Sequence, residues 1–452
     1  MNRVCFSVLL ACIFLSATFS PAFSAEMKEW TLAVYLNADN NLDPFGVEDQ
    51  EEMSKIGSSD WLNIVSLIDR EKGPASYNYI EKGKISKIEG MPETELDMGD
   101  YKLLVNFMSW VTKNYPAKKY ALVIWNHGSG WKKAGKSATR GISYDDSSNR
   151  GITTNELSTA LGEIRTNLGK NLDILTMDAC LMQMAEVAYI CQDKVDYIIA
   201  SEDVEPGKGA PYDDILVKLS ADSTPENFAK TWVAAFAASY NNGSQGYESC
   251  TQSCVKVSAL PQLFDAMNGF SKSAISGKFN VEFTKALKKV KKFEDRDNID
   301  LLHFLKLLSS SIKDESVVTS CEKLTTAYQE AVIAFSNIDD QNENAFGLAV
   351  YFPLSSHAFD NEYEKLDFSS SVKWGEMVQD FYRKNAADKA VHNAGRGRLD
   401  DLRRFVSSAT SREKDINRHV AQQLNFKFFS EKASSSESSD ELKKLVSELL
   451  AK

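Results

Sequence analysis

The strongest constraint on the fold of this chain is a set of uninterrupted apolar runs of strand length. Tyr120–Trp125 and Leu172–Met177 are apolar at nearly every position instead of at every second one, and Trp30–Asn37, Leu62–Ile68, Val195–Ala200 and Phe346–Phe352 share the character. A strand with one wet face alternates. A continuous run must be covered on both faces, as in a parallel sheet with helices above and below. The segments between them, Asp100–Asn114, Thr154–Leu168 and Gln183–Gln192, carry apolar residues at helical spacing. The expected fold class is α/β, a three-layer α/β/α sandwich with a mostly parallel central sheet.

Two runs stop at reactive side chains. One continues into Asn126-His127-Gly128-Ser129-Gly130, the other into Asp178-Ala179-Cys180. Strand ends bring a thiol and an imidazole together across any sequence separation, which nucleophilic catalysis requires. A Cys180 thiolate would attack a carbonyl carbon while His127 manages the leaving group's proton, and the N–H groups of Gly128 and Cys180 suit a developing oxyanion. The competing reading makes Cys180 a buried core thiol and His127 a turn residue. Asp178, two positions before Cys180, shares its face on an extended strand; it would bind a cationic group or cap the following helix.

The first 25 residues have the form of a secretory signal: Arg3, an apolar stretch over 4–19, and small residues before position 25. Leu9-Leu10-Ala11-Cys12 offers a lipoprotein box at Cys12 as the lesser alternative, since the apolar stretch runs on past it. A soluble, exported mature protein is expected, secreted, periplasmic or at the cell surface, with no stable membrane span. It would comprise a domain over 26–385 and a charged, Ser-rich appendage with short helices over 386–452. With 63 acidic against 52 basic residues, nucleic acid is a poor partner. Five cysteines follow the signal, so at least one is unpaired in a monomer, with Cys180 the natural free thiol; Cys250 and Cys254 would pair only if the chain turns between them. Trp131–Gly151 reads as a long irregular loop.

Asn126–Trp131, Met177–Met182, Ala200–Tyr212, Tyr35–Leu42 and Asn298–Phe304 together resemble the clostripain family (C11) of cysteine peptidases, in the caspase-like clan (CD). The matches run in order from about residue 30 to 385. The resemblance implies a caspase-like sheet sandwich, a His127–Cys180 dyad with Gly128 in the oxyanion hole, protein or peptide substrates cut after Arg or Lys, and self-cleavage between histidine and cysteine. Lys136, Arg140 and Arg150 are the processing candidates, Arg140 foremost. One departure bears on specificity. Where basic-specific relatives carry an acid inside Pro-Gly-x-Gly, this chain has Lys208, which would repel a cationic side chain if it faced the pocket. Asp178, Glu202, Asp203 and Glu205 remain as carboxylate sources; otherwise a non-basic preference follows.

No cofactor is required by this chemistry. Calcium, associated with several relatives, would find oxygen ligands at Asp39–Asp43, although a turn with a helix cap explains that run as well and no other metal site is expected. A catalytically silent peptide-binding relative and an acyl-transferring relative are the alternatives; a thiol–disulfide protein is disfavoured because Cys180 lacks a Cys-x-x-Cys partner.

Overall fold

The computed structural model describes residues 27–133, 140–277 and 279–394. Nine strands form the main sheet: β1 (Lys28–Ala38), β2 (Leu62–Arg70), β3 (Ser76–Glu81), β4 (Lys84–Lys87), β5 (Ala117–Trp125), β6 (Leu172–Asp178), β7 (Val195–Ala200), β8 (Cys250–Lys256) and β9 (Val332–Ile338). Their order is β9-β8-β7-β6-β5-β1-β2-β3-β4. The five central strands β2, β1, β5, β6 and β7 are parallel, and two antiparallel strands extend each edge, so the sheet as a whole is mixed.

Alternation along the central strands builds two cores, one on each face. On β1, Trp30, Leu32, Val34 and Leu36 enter one core with Met53, Phe228 and Trp232, while Ala33 and Tyr35 enter the other with Leu104, Phe107 and Leu157. Each large side chain buried this way contributes roughly 1.5–3 kcal/mol. Helices Asp43–Ile56 and Pro225–Tyr240 therefore cover one face, and Tyr101–Asn114 and Thr154–Leu168 the other.

Local signals fix where the helices begin and end. Thr153 Oγ1 accepts the Glu156 N–H while the Glu156 carboxylate accepts that of Thr153, a reciprocal cap, and Gly169 closes the helix at φ 69°. Asp100 caps Tyr101–Asn114 by accepting the Lys102 N–H.

Three expectations need correction. Within Trp131–Gly151 the described residues are not an irregular loop: Gly128–Lys133, Arg140–Asp145 and Arg150–Ile152 form a three-stranded antiparallel sheet, held because Trp131, Ile142, Tyr144 and Ile152 are buried. The run Phe346–Phe352 contributes only Ala349–Tyr351, which pairs with Asn298–Asp300 outside the main sheet. The helix expected over Gln183–Gln192 is shortened to Ala185–Ile190 because Gln183 N donates to Ser201 O and Ala349 N to Gln183 O. Residues 1–26 and 395–452, on which the expected signal, the Cys12 alternative and most of the expected appendage fall, lie outside the described residues, and helix Trp374–Ala394 runs across the boundary expected at 385. No helix among the described residues is long and apolar enough to cross a membrane.

Candidate active site

The register pairing Trp125 of β5 with Asp178 of β6 brings two strand ends level, and Asn126 N closes the last rung on Asp178 O (3.2 Å). The turns that follow lie side by side. His127 and Cys180 both line a cleft of about 110 Å³, with Leu42, Trp125, Asn126, Asp178, Ala179, Glu205, Pro206, Gly207 and Gly209. Carboxyl ends of parallel strands are the usual ligand site in such sheets.

Backbone geometry presents the thiol. Leu181 sits at φ 61°, a left-handed conformation that costs a branched residue roughly 1–2 kcal/mol. Its N–H is held by Asp203 O (3.1 Å), so the turn is fixed from the β7 side. Gly128 fits because it has no side chain: a Cβ there would stand 2.4 Å from Cys180 O and 2.9 Å from Met182 Cγ.

The Cys180 Sγ accepts the Glu205 N–H (3.3 Å). Burial pushes this thiol up to about 11, the carboxylates of Glu205 and Asp203 adding to the effect and the Glu205 N–H opposing it. Burial lowers His127, with the Asp146 carboxylate acting the other way. The resting pair is thus a thiol beside a neutral imidazole. Cys180 is the only partly exposed thiol among the five described cysteines, all of them free; Cys250 and Cys254 lie on one continuous strand without a turn between them.

An acidic pair, Asp178 buried and Glu205 half-buried, lines the cleft. Asp178 Oδ2 accepts Tyr212 OH (2.8 Å) and Ala210 N (3.3 Å), and its carboxyl is hydrogen-bonded to that of Glu205, whose Oε1 accepts Gln252 Nε2 (3.2 Å). Burial raises both carboxyls, and the Asp178 charge raises Glu205 further, so the two share a proton.

The other expected substrate-binding residues are engaged elsewhere. Glu202 accepts Gly347 N (2.8 Å) and faces the buried Asp300, and Asp203 pairs with Lys291 (3.2 Å) and accepts Glu294 N (2.8 Å). Lys208 is exposed and absent from the cleft lining, although Gly207 and Gly209 on either side belong to it. Among the processing candidates, Arg150 is held by Asp97 (2.6 Å), Arg140 opens the middle strand of the small sheet, and Lys136 lies outside the described residues.

Sequence reasoning missed two asparagines. Asn126 Nδ2 donates to Asn37 O (2.6 Å) and Tyr144 O (3.0 Å) while its Oδ1 accepts Tyr144 N (2.7 Å), stapling the small sheet to β1. Asn41 Oδ1 lies 2.8 Å from His127 Nε2. Asn126 stands in the His-Gly motif and Asn41 in the Asn-rich turn, but neither spacing says what it touches.

For a divalent cation, Asp39, Glu95 and Asp145 each bring one carboxylate oxygen within 4.8 Å of the others, hard donors of the kind calcium takes. Of the run Asp39–Asp43 only Asp39 belongs to this group; Asn40 Oδ1 accepts Leu42 N and Asp43 pairs with Arg70, as a turn and helix start require. A cation there would tie the turns around residues 39, 95 and 145 to one another.

The profile of the clostripain family matches residues 34–381. Clostripain of Hathewaya histolytica is 33% identical over 231 residues, 44% of this chain and 43% of the relative, so the match spans under half that protein's length. Among solved structures, a secreted C11 cysteine protease of Bacteroides thetaiotaomicron bound to an irreversible peptide inhibitor superposes with a TM-score of 0.61 at 21% identity, over 77% of this chain and 99% of that one. An inactive zymogen C11 protease of Parabacteroides distasonis gives 0.60 at 20% identity, with the same coverage. These likenesses establish a caspase-like α/β fold, and the profile match establishes descent: the chain belongs to the clostripain family of cysteine peptidases.

Proposed function

We propose that this chain is an exported cysteine endopeptidase that cleaves peptide bonds after Arg or Lys, with Cys180 as nucleophile and His127 as acid–base. The observation that carries the reading is the meeting of a thiol and an imidazole in one cleft that is also lined by the hydrogen-bonded carboxyl pair Asp178–Glu205. The thiol proton passes to His127, the thiolate attacks the scissile carbonyl carbon, and the N–H groups of Gly128 and Cys180 face the oxyanion. His127 then protonates the departing amine, leaving an acyl-enzyme that water hydrolyses with His127 as base.

The preference for a basic side chain rests on the acidic pair. A guanidinium or ammonium entering the cleft displaces the shared proton to solvent and meets two carboxylates, one of them buried, with which charge-assisted bonds are strong. Lys208, exposed outside the lining, does not enter that balance. Self-cleavage is proposed at Arg140 or Lys136, Arg150 being held by Asp97. The signal-like residues 1–25 support export.

The test compares the purified mature protein with Cys180→Ala by intact mass after incubation, then assays both on peptides varied at the residue before the cut. Wild type alone should be clipped between 131 and 151 and should cut after Arg or Lys. In Asp178→Asn, kcat/KM for an Arg peptide should fall about 100-fold or more, as truncating a buried charge pair predicts, with little change for a Leu peptide. A wild type that stays intact, inert and unreactive toward an electrophilic peptide would replace the enzyme reading with that of a peptide-binding relative.

A further inference from the structure

We infer that Asn41 is a positioning residue for the hydrolytic reaction: its side-chain oxygen holds His127 in the tautomer that carries its proton on Nε2, leaving Nδ1 to exchange protons with Cys180 and the leaving group. The inference rests on the hydrolytic reading above and adds a third member to the site.

Asn41 Oδ1 is an acceptor only, so a 2.8 Å contact with His127 Nε2 requires a hydrogen on that nitrogen. A neutral imidazole carries one such hydrogen, which leaves the lone pair on Nδ1. The two residues are 86 positions apart, and the turns that carry them are tied to one common atom. Asn40 Nδ2 and Asn126 Nδ2, each the immediate neighbour of one partner, both donate to Tyr144 O at 3.0 Å. Asn40, Asn126 and Tyr144 are buried, and Asn40 also closes its own turn through Leu42 N (2.9 Å). The separation of Asn41 and His127 is therefore set by buried hydrogen bonds although Asn41 is itself exposed. Leu42, the next residue, lines the cleft beside His127.

In the reaction, the thiol S–H bond breaks and an Nδ1–H bond forms. The resulting imidazolium strengthens its Nε2–H bond to Asn41 because the donor is now charged. When Nδ1 returns the proton to the departing amine, the bond to Asn41 relaxes. Asn41 neither gains nor loses a proton. The titratable groups that share the cleft with the imidazole are Cys180, Asp178 and Glu205, and the Asp146 carboxylate also acts on it.

The test is a set of full-chain variants, Asn41→Ala, Asn41→Asp and Asn41→Gln, with matching thermal melts to establish folding. In 15N-histidine-labelled wild type, His127 should show the Nε2–H tautomer, and in Asn41→Ala a mixture. Asn41→Ala should lower kcat about ten- to a hundredfold with KM within about twofold, the loss of one charge-assisted bond that tightens in the transition state. Asn41→Asp should recover part of that loss and move the acid limb of the kcat/KM profile upward, because the added carboxylate raises the imidazole and the neutral base is then reached only at higher pH. An unchanged tautomer in Asn41→Ala overturns the proposal, whatever its activity. So does a loss of kcat that Asn41→Asp fails to relieve with no movement of the limb. A wild type that neither turns over peptide nor alkylates at Cys180 refutes the hydrolytic reading instead, and the tautomer measurement still decides the contact.

Discussion

Gly128→Ala tests whether the closeness of the two strand-end turns is what makes the site work. The new Cβ would stand 2.4 Å from Cys180 O, 2.9 Å from Met182 Cγ and 3.0 Å from Met182 Sδ. An unstrained carbon–oxygen contact begins at about 3.3 Å. The carbonyl of Cys180 must therefore retreat by about 0.9 Å, since it is backbone and cannot rotate away as Met182 can. Leu181 N is tied to Asp203 O, so the strain falls on the turn that carries the thiol. A displacement of about 1 Å in a reacting group costs about 100-fold in rate, and overpacking of this kind costs about 1–3 kcal/mol in stability. The assay pairs kcat/KM on a basic peptide with the alkylation rate of Cys180 and a thermal melt. Gly162→Ala is the control, because its Cβ would meet only Lys194 Cε at 3.8 Å within helix Thr154–Leu168, where alanine stabilises by up to about 1 kcal/mol. A Gly128→Ala enzyme within threefold of wild type, with an unchanged melt, would refute the reasoning.

Two further outcomes concern protons. Alkylation of Cys180 by iodoacetamide should rise about tenfold per pH unit from 6 to 9, since the thiol is pushed up to about 11 and the neighbouring imidazole is neutral; a plateau below pH 8 would mean a standing thiolate–imidazolium pair instead. Glu186 is buried, accepts Tyr351 N and Tyr363 OH through Oε1, has no partner at Oε2, and is raised by burial to about 7 from 4.5. A raised folded-state value means that stability present below about pH 4.5 is lost as pH climbs toward 7, by up to about 3 kcal/mol. Glu186→Gln should therefore melt higher than wild type at pH 8 and alongside it at pH 4; parallel stability curves would exclude this role for Glu186.

The parallel centre of the sheet was legible because burial on both faces writes itself as continuous hydrophobicity. The antiparallel strands that flank it were not. Cys250–Lys256 reads Cys-Thr-Gln-Ser-Cys-Val-Lys, yet Thr251, Gln252 and Ser253 are each 1% exposed, their burial made tolerable by partners distant in sequence such as Ser201 and Gln183. The small sheet was hidden for a similar reason, since Gly and Ser in Trp131–Gly151 imitate a loop while Trp131, Ile142 and Tyr144 do the packing. At the site, residue type and strand-end position named His127 and Cys180. The acidic pair was only half visible, because the choice among Asp178, Glu202, Asp203 and Glu205 depends on which carboxylates already have partners. Asn41 carries no signal of its own: an asparagine in a turn looks the same whether or not an imidazole lies beyond it.

The shared acceptor Tyr144 O has a consequence for covalent continuity. Tyr144 follows residues 134–139, whereas Asn40 and Asn126 precede them, and Asn126 alone makes two bonds to the Tyr144 backbone. The backbone pairing of Gly128 with Ile142, and the burial of Ile142 and Tyr144, span the same gap. A polypeptide severed between Lys133 and Arg140 would thus be held as a two-chain species by the contacts that shape the single chain, with the histidine on one fragment and the cysteine on the other. The peptide bonds of that stretch link the halves of the site in sequence, and the Tyr144 carbonyl joins them in space.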